Sequence, residues 1–306
     1  MPTMSDEPRV ANIKITSAER LVFDPPPVTK LEVVRYYADW SDRILPFLRN
    51  RPVSMLRCPE GTGKTCFFQK HRTDGMTSAI NVVEVQGRDE MEEYMTLSTR
   101  RGLVGAAQMG VMEFHGWGAR NDNLERPDRL IFDLDPDEGL EFEIVRDAAL
   151  AVRERLDELG LPNGPMLSGG KGIHVVVPLR ASAEWPDVKA LTAGLARAMA
   201  RDAPEHFTAT MSKAKREGRI FIDWLRNERG ATAVTPYSLR ARKGATVAVP
   251  LEWPELAQVT SSGAFNIHSV AARLERECPL VALRRKAVKL GPRLLAEATR
   301  RWPADD

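Results

Sequence analysis

The chain has 306 residues, 43% of them hydrophobic and 28% charged, the balance of a soluble globular protein able to bury a sizeable core. No apolar run reaches the length of a membrane span and the start "MPTMSDEPRV" lacks a signal-peptide core. The three cysteines, Cys58, Cys66 and Cys278, are too few and too scattered for a disulfide framework or a zinc site, so a reduced, cytoplasmic chain is expected. A formal net charge of +2 speaks against a polyanion partner, but residues 201–250 hold ten Lys/Arg against five Asp/Glu while 133–158 is acidic, a distribution suited to gripping phosphates and metal together.

In chain order, an N-terminal arm (1–28) ends in "DPPPVTK". Thr29 is placed as the N-cap of the helical stretch "KLEVVRYYADWSDRILPFLRN", whose apolar residues recur at helical spacing. "PVSMLRC", "TCFFQKH", "NVVEV" and "GVMEFH" read as strands, with "DEMEEYMTLSTR" as a helix between the last two. The strand 129–135 opens the second half. A helix over 141–159 ends at Gly160, "HVVVPL" follows as a strand, and a helix near 186–202 precedes the strand "RIFIDW". The tail from 266 is mainly helical, in "NIHSVAARLERE" and "RLLAEATRRW". Interleaved strands and helices predict a mixed α/β fold. The expected organisation is a single domain over 1–306, with modules at 29–128 and 129–260 and a helical tail at 261–306.

"PEGTGKTCFF" imitates a phosphate-binding P-loop. That motif needs Gly five positions before Gly63, where this chain has Cys58, and a long helix after it, where "CFFQKH" reads as a strand. Residues 59–65 are therefore read as a hairpin loop. "RLIFDLDPDEG" puts Asp133 and Asp135 into an apolar strand. Side chains alternate along a strand, so Ile131, Asp133 and Asp135 share one face and Phe132 and Leu134 the other. Two like charges side by side cost stability unless a cation joins them. A third acid, Asp223 in "RIFIDWLR", has the same apolar setting, with Arg219 and Arg226 as possible partners. Three such carboxylates suit two divalent ions about 3.5–4 Å apart for in-line displacement at phosphorus. In "MLSGGKGIHVVV", Gly169, Gly170 and Gly172 surround Lys171, with Ser168 before and His174 after. Such a turn brings backbone N–H groups close to an anion, and it also serves as a plain tight hairpin. "TPYSLRARKG" sets Arg240 and Arg242 on one face of an extended segment, a grip for phosphates.

"DRLIFDLDP", "SGGKGIHVVVPL", "IFIDWLRN" and "YSLRAR", in this order, resemble the polymerase domain of bacterial ligase D, a member of the archaeo-eukaryotic primase superfamily that works in non-homologous end joining. The resemblance takes in "CFFQKH" and "EFHGWGAR" and runs from about residue 12 to the end. It implies a primase-polymerase fold of mixed sheets flanked by helices. It also implies a template-directed nucleotidyltransferase that fills gaps and extends ends at double-strand breaks, using two Mn²⁺ or Mg²⁺ ions and preferring ribonucleotides. By resemblance, Asp133, Asp135 and Asp223 are the metal-binding catalytic acids, and Ser168, Lys171, His174, Arg240 and Arg242 line the incoming-nucleotide pocket. His115 lies near the ribose, and Arg216 in "SKAKREGR" belongs to a mobile loop. Lys30 and Arg20 match the pocket for a 5′-phosphate, and Phe67 and Phe68 stack on template bases. The implied partners are DNA with gaps, overhangs or 5′-phosphate ends, nucleoside triphosphates, Ku and a DNA ligase, at the nucleoid and away from any membrane. With no ligase or nuclease domain on this chain, it is either a stand-alone polymerase or an excised domain. Two rivals stand beside this reading. A haloacid dehalogenase-type phosphotransferase also opens on "DxD" but wants Thr or Val where this chain has Asp137. A non-catalytic end-binding module would set three acids against DNA without an ion.

Overall fold

The computed structural model describes residues 7–87 and 89–303, which form two compact units. The first comprises residues up to Gly116, 234–247 and 266–274; the second comprises 117–233, 248–265 and 275 onward. Among the described residues no helix is long and apolar enough to cross a membrane.

In the first unit, α1 (Lys30–Asp39) starts where the sequence places it. The Thr29 side chain accepts from the Glu32 N–H, and the Glu32 carboxylate accepts from the Thr29 N–H at 2.7 Å, closing a capping box. The long helical stretch breaks at Trp40, and α2 (Ser41–Leu48) follows. Val33, Val34, Tyr37, Ile44 and Leu48 are buried. Strand β1 (Val53–Arg57) pairs antiparallel with β2 (Phe67–Gln69), so 59–65 is indeed a hairpin loop. That register puts Arg57 opposite Phe67 and brings the next residues, Cys58 and Cys66, to a Cα–Cα distance of 4.4 Å, where they form a disulfide. The three cysteines build no framework, since Cys278 keeps its thiol, but the expectation of a fully reduced chain is corrected, because Cys58 and Cys66 flank paired positions of one hairpin. Strand β3 (Asn81–Gln86) pairs in register with β4 (Met91–Thr96), which corrects the helix expected there. Met91, Tyr94 and Met95 mimic helical spacing, but the alternation of exposed and half-covered residues along β4 suits a hairpin, and Tyr94 and Glu92 both reach Lys70. The helix of this region is α3 (Arg100–Gln108), capped by Thr99. Strand β5 (Val111–Trp117) then pairs with β1.

The second unit is built on strand β6 (Arg129–Pro136). Its Leu130, Phe132 and Leu134 are fully buried, while Asp133 and Asp135 keep partial exposure. Helix α4 (Phe142–Glu158) is followed by β7 (Gly164–Leu167) and β8 (Ile173–Arg180). Helix α5 (Trp185–Asp202) precedes β9 (Phe207–Thr208) and β10 (Ile220–Asp223). The sheet runs β9-β10-β6-β8-β7 and ends at β11 (Val249–Pro250). Its β9–β10 pairing is parallel and the others along this path antiparallel, with β12 (Val288–Lys289) added parallel to β8. Helix α4 packs on β6 and β8, and α5 on β6 and β9. Helix α6 (Pro292–Arg301) packs on α5. In the tail, Ser269–Glu275 is a 3₁₀ helix rather than an α-helix.

Candidate active site

The register of the second unit aligns the acids. In the pairing of β6 with its two neighbours, Asp133 stands opposite His174 of β8 on one side and opposite Asp223 of β10 on the other. Directly opposed residues point to the same face, so one row carries His174, Asp133 and Asp223, with Asp135 two residues along on that face. His174 Nε2 lies 3.3 Å from Asp133 Oδ1. After β10 the chain turns through Leu225–Asn227. The buried Asn227 side chain donates to the Ile131 carbonyl at 2.7 Å and accepts from the Ile131 N–H at 2.8 Å. This turn carries Arg226 back over the row, where its Nε lies 3.3 Å from Asp133 Oδ2 and 3.1 Å from Asp223 Oδ2. Asp135 accepts instead from Arg216 at 2.7 Å, and that guanidinium sits 4.1 Å over the Phe221 ring. Burial pushes the Asp223 carboxyl up; Arg226 pulls it down, and Asp133 and Asp135 push it up again.

The glycine-rich turn lies beside this row. Gly169 is left-handed at φ +67°, and a Cβ on Gly172 would sit 2.0 Å from the Leu134 carbonyl oxygen, so only glycine lets this turn lie against β6. Ser168 Oγ accepts from the Gly170 N–H at 3.2 Å, and Ser262 Oγ donates to the Gly172 carbonyl at 2.6 Å. Lys171 is exposed and pairs with Glu138 at 3.0 Å.

The remaining residues singled out in the sequence lie in the first unit. His115 Nε2 meets Glu113 Oε2 at 2.8 Å; Arg240 Nε donates to the same oxygen at 3.0 Å, and the Ala241 N–H donates to Oε1 at 2.8 Å. Burial alone would raise the Glu113 carboxyl, but the His115 hydrogen bond and the Arg240 charge outweigh it and bring it down to about 2. Glu113 escaped the sequence reading. Its signal was one acid in the otherwise apolar strand "GVMEFH", where a buried charge requires partners. Arg242 is exposed, and its N–H bonds the Arg240 carbonyl at 2.8 Å, so 240–242 turns rather than extending with both arginines on one face.

Phe68 stands across from Leu56, itself opposite Glu113, and its ring meets the His115 ring edge-on at 5.1 Å. Phe67 and Phe68 are 45% and 60% exposed, far more than a core would leave them. Lys30 is buried, and its Nζ donates to the Thr16 carbonyl at 2.9 Å. Burial first, and then the charge of Arg20, lower Lys30 to about 8, so two cations stand close without an acid between them strong enough to restore it.

As the side chains stand, no three His, Cys, Asp or Glu among the described residues converge as a metal cage. The arginines occupy that role: Arg226 joins two of the carboxylates and Arg216 draws off the third. The donor set nonetheless fits a hard divalent cation, since three carboxylates crowd one face and each is already held by a cation.

A family model described as "LigD, primase-polymerase domain" matches residues 29–280. The multifunctional non-homologous end joining protein LigD of Pseudomonas aeruginosa is 39% identical over 265 residues, covering 87% of this chain and 32% of that protein. The bifunctional non-homologous end joining protein LigD of Bacillus subtilis is 29% identical over 269 residues, covering 87% of this chain and 43% of its own length. The chain thus spans between 32% and 43% of these relatives. Among solved structures, the polymerase domain from Mycobacterium tuberculosis ligase D in complex with DNA matches with a TM-score of 0.82 at 29% identity, covering 90% of this chain and 99% of that one.

Proposed function

This chain belongs to the LigD primase-polymerase domain family, and on that premise we propose that it is a template-directed nucleotidyltransferase that fills gaps and extends ends at double-strand breaks in bacterial non-homologous end joining. The observation that carries the reading is the register that sets Asp133 opposite both Asp223 and His174, with Asp135 on the same face. Membership of the family points to divalent metal, and the finer reading is two ions, Mn²⁺ or Mg²⁺. When bound, they lower the pKa of the attacking hydroxyl and neutralise the leaving pyrophosphate. Asp133, Asp135 and Asp223 hold them, which requires Arg226 to yield the two carboxylates it joins and Arg216 to release Asp135. Ser168, Lys171 and His174 bind the incoming triphosphate, and the freed Arg216 joins them; Arg240 and Arg242 are assigned to nucleotide binding by family membership. His115, oriented by Glu113, hydrogen-bonds the ribose edge, and this favours ribonucleotides.

Lys30 and Arg20 receive the 5′-phosphate of a broken end, and Phe67 and Phe68 stack on template bases. Ku and a DNA ligase complete the reaction sequence, in the cytoplasm at the nucleoid. The test is extension of a primer on gapped DNA with each nucleotide type and each metal. Asp133→Ala or Asp135→Ala is expected to abolish extension while DNA binding and folding persist. Near-normal extension by either variant refutes the metal assignment, and DNA binding without extension by wild type in either metal makes the protein an end-binding module instead.

A further inference from the structure

The loop between Arg57 and Phe67 takes no part in the function proposed above. Its "PEGTGKT" runs into strand β2, so it lacks the helix on which a nucleotide-hydrolysing loop depends. The base of the loop is firmly held. The Cys58–Cys66 disulfide closes it. Gly61, at φ +96°, turns the chain with its N–H on the Cys58 carbonyl at 3.0 Å. The N–H and the hydroxyl of Thr62 both donate to the Val22 carbonyl, at 2.8 and 2.9 Å. The tip, Gly63 to Thr65, is exposed. Between tip and strand lies an open groove of about 610 Å³ lined by Pro59, Glu60, Gly63, Lys64, Thr65 and Phe67. Phe67 is thus both a groove wall and part of the exposed aromatic pair, and the Arg57 guanidinium lies 5.6 Å from its ring centre. No ion pair engages Lys64 among the described residues.

A base stacked on an exposed ring brings its own backbone phosphate alongside, and a free ammonium next to that ring is the natural partner for it. We propose that this groove takes a backbone phosphate of the DNA strand whose base stacks on Phe67, with the Lys64 ammonium and the Thr65 hydroxyl as donors. The contact is independent of base sequence, because it reads only the phosphodiester. Glu60 on the same groove opposes the phosphate and limits how tightly it is held. The hydrogen bonds of Gly61 and Thr62, with the Cys58–Cys66 closure, restrict the loop at its base, so less ordering entropy opposes the contact. This inference rests on the DNA-binding role of Phe67 and Phe68.

The experiment is fluorescence anisotropy of gapped, 5′-phosphorylated DNA across about 50–200 mM salt, with melting curves to verify folding. Lys64→Ala is expected to flatten the slope of log affinity against log salt by about 0.7–0.9, one phosphate contact, and to weaken binding equally on unrelated sequences. Gly63→Asp is expected to weaken binding too, because a Cβ there meets nothing within 4 Å and the substitution adds only a negative charge to the groove. Glu60→Gln is expected to tighten binding, and Phe68→Ala to weaken it with the salt slope unchanged. Wild-type binding with the same salt slope in Lys64→Ala overturns the groove. Failure of wild type to bind DNA at all refutes the functional reading and the groove with it. A Lys64→Ala defect confined to free ATP, with the DNA slope intact, assigns the loop to nucleotide and overturns the proposal.

Discussion

Glu113→Gln tests a buried charge cluster of the first unit. The carboxylate is 3% exposed and receives His115, Arg240 and the Ala241 N–H together. Its folded pKa of about 2 lies below the ordinary glutamate value of 4.5. At about 1.36 kcal/mol per pH unit, that difference corresponds to roughly 3 kcal/mol of stability at neutral pH. The glutamine keeps the shape and loses the charge, taking the carboxylate away from the half-buried Arg240, a change that costs roughly 3 kcal/mol, the low end for buried pairs. Because the folded value is depressed, the contribution is complete above about pH 4.5. It declines as the unfolded carboxyl takes up its proton and is gone once the pH falls through about 2. Urea denaturation at pH 7 is therefore expected to show a lower midpoint with an unchanged slope, by roughly 3 kcal/mol. The gap between wild type and variant is expected to narrow between about pH 5 and pH 3. A loss under about 1 kcal/mol at pH 7, or parallel pH dependences, would show that the cluster is paired more weakly than its distances imply.

Lys30, at about 8, is expected to make the preference for a 5′-phosphate over a 5′-hydroxyl end fade as pH rises through about 8, and Lys30→Ala to erase it; a preference flat from pH 7 to 9 removes Lys30 from that pocket. Folding stability responds to the same group in the opposite sense, rising between about pH 8 and the ordinary lysine value of 10.5, where the unfolded lysine holds more proton. His115→Ala is expected to lower ribonucleotide incorporation more than deoxynucleotide incorporation on one gapped template, and an unchanged ratio leaves His115 as a structural partner of Glu113. Cys66→Ser opens a loop of sequence separation 8, and its urea midpoint is expected to report a loss on the order of 2–3 kcal/mol that reductant reproduces in wild type; equal midpoints refute the staple.

The acids were legible in the sequence because a period-2 strand pattern makes a charged residue conspicuous among apolar neighbours, as at Asp133, Asp135 and Asp223. Their alignment was not, because register depends on which strand β6 meets, and no local pattern states that Asp133 will face Asp223. The same reason hid the disulfide: Cys58 and Cys66 become neighbours only once Arg57 pairs with Phe67. Strand β4 was misread because Met91, Tyr94 and Met95 satisfy a helical spacing as well as a hairpin one, and the pairing with β3 decides between them. Capping is local chemistry, which is why Thr29 and Glu32 were enough to place the start of α1.

The two compact units do not follow one another along the chain: residues 234–247 and 266–274 return to the first after the second has begun. Heredity is constrained by that path. A fragment ending at residue 116 keeps Glu113 and His115 but discards Arg240, and it leaves the Tyr37 hydroxyl without the Leu239 N–H that it accepts at 3.1 Å. A recombination crossover near residue 117 would therefore join a first unit adapted to one Arg240 segment with a segment from another lineage. The Glu113–Arg240 pair penalises such chimaeras, so substitutions at 113 and 240 are expected to be energetically coupled although 127 positions separate them.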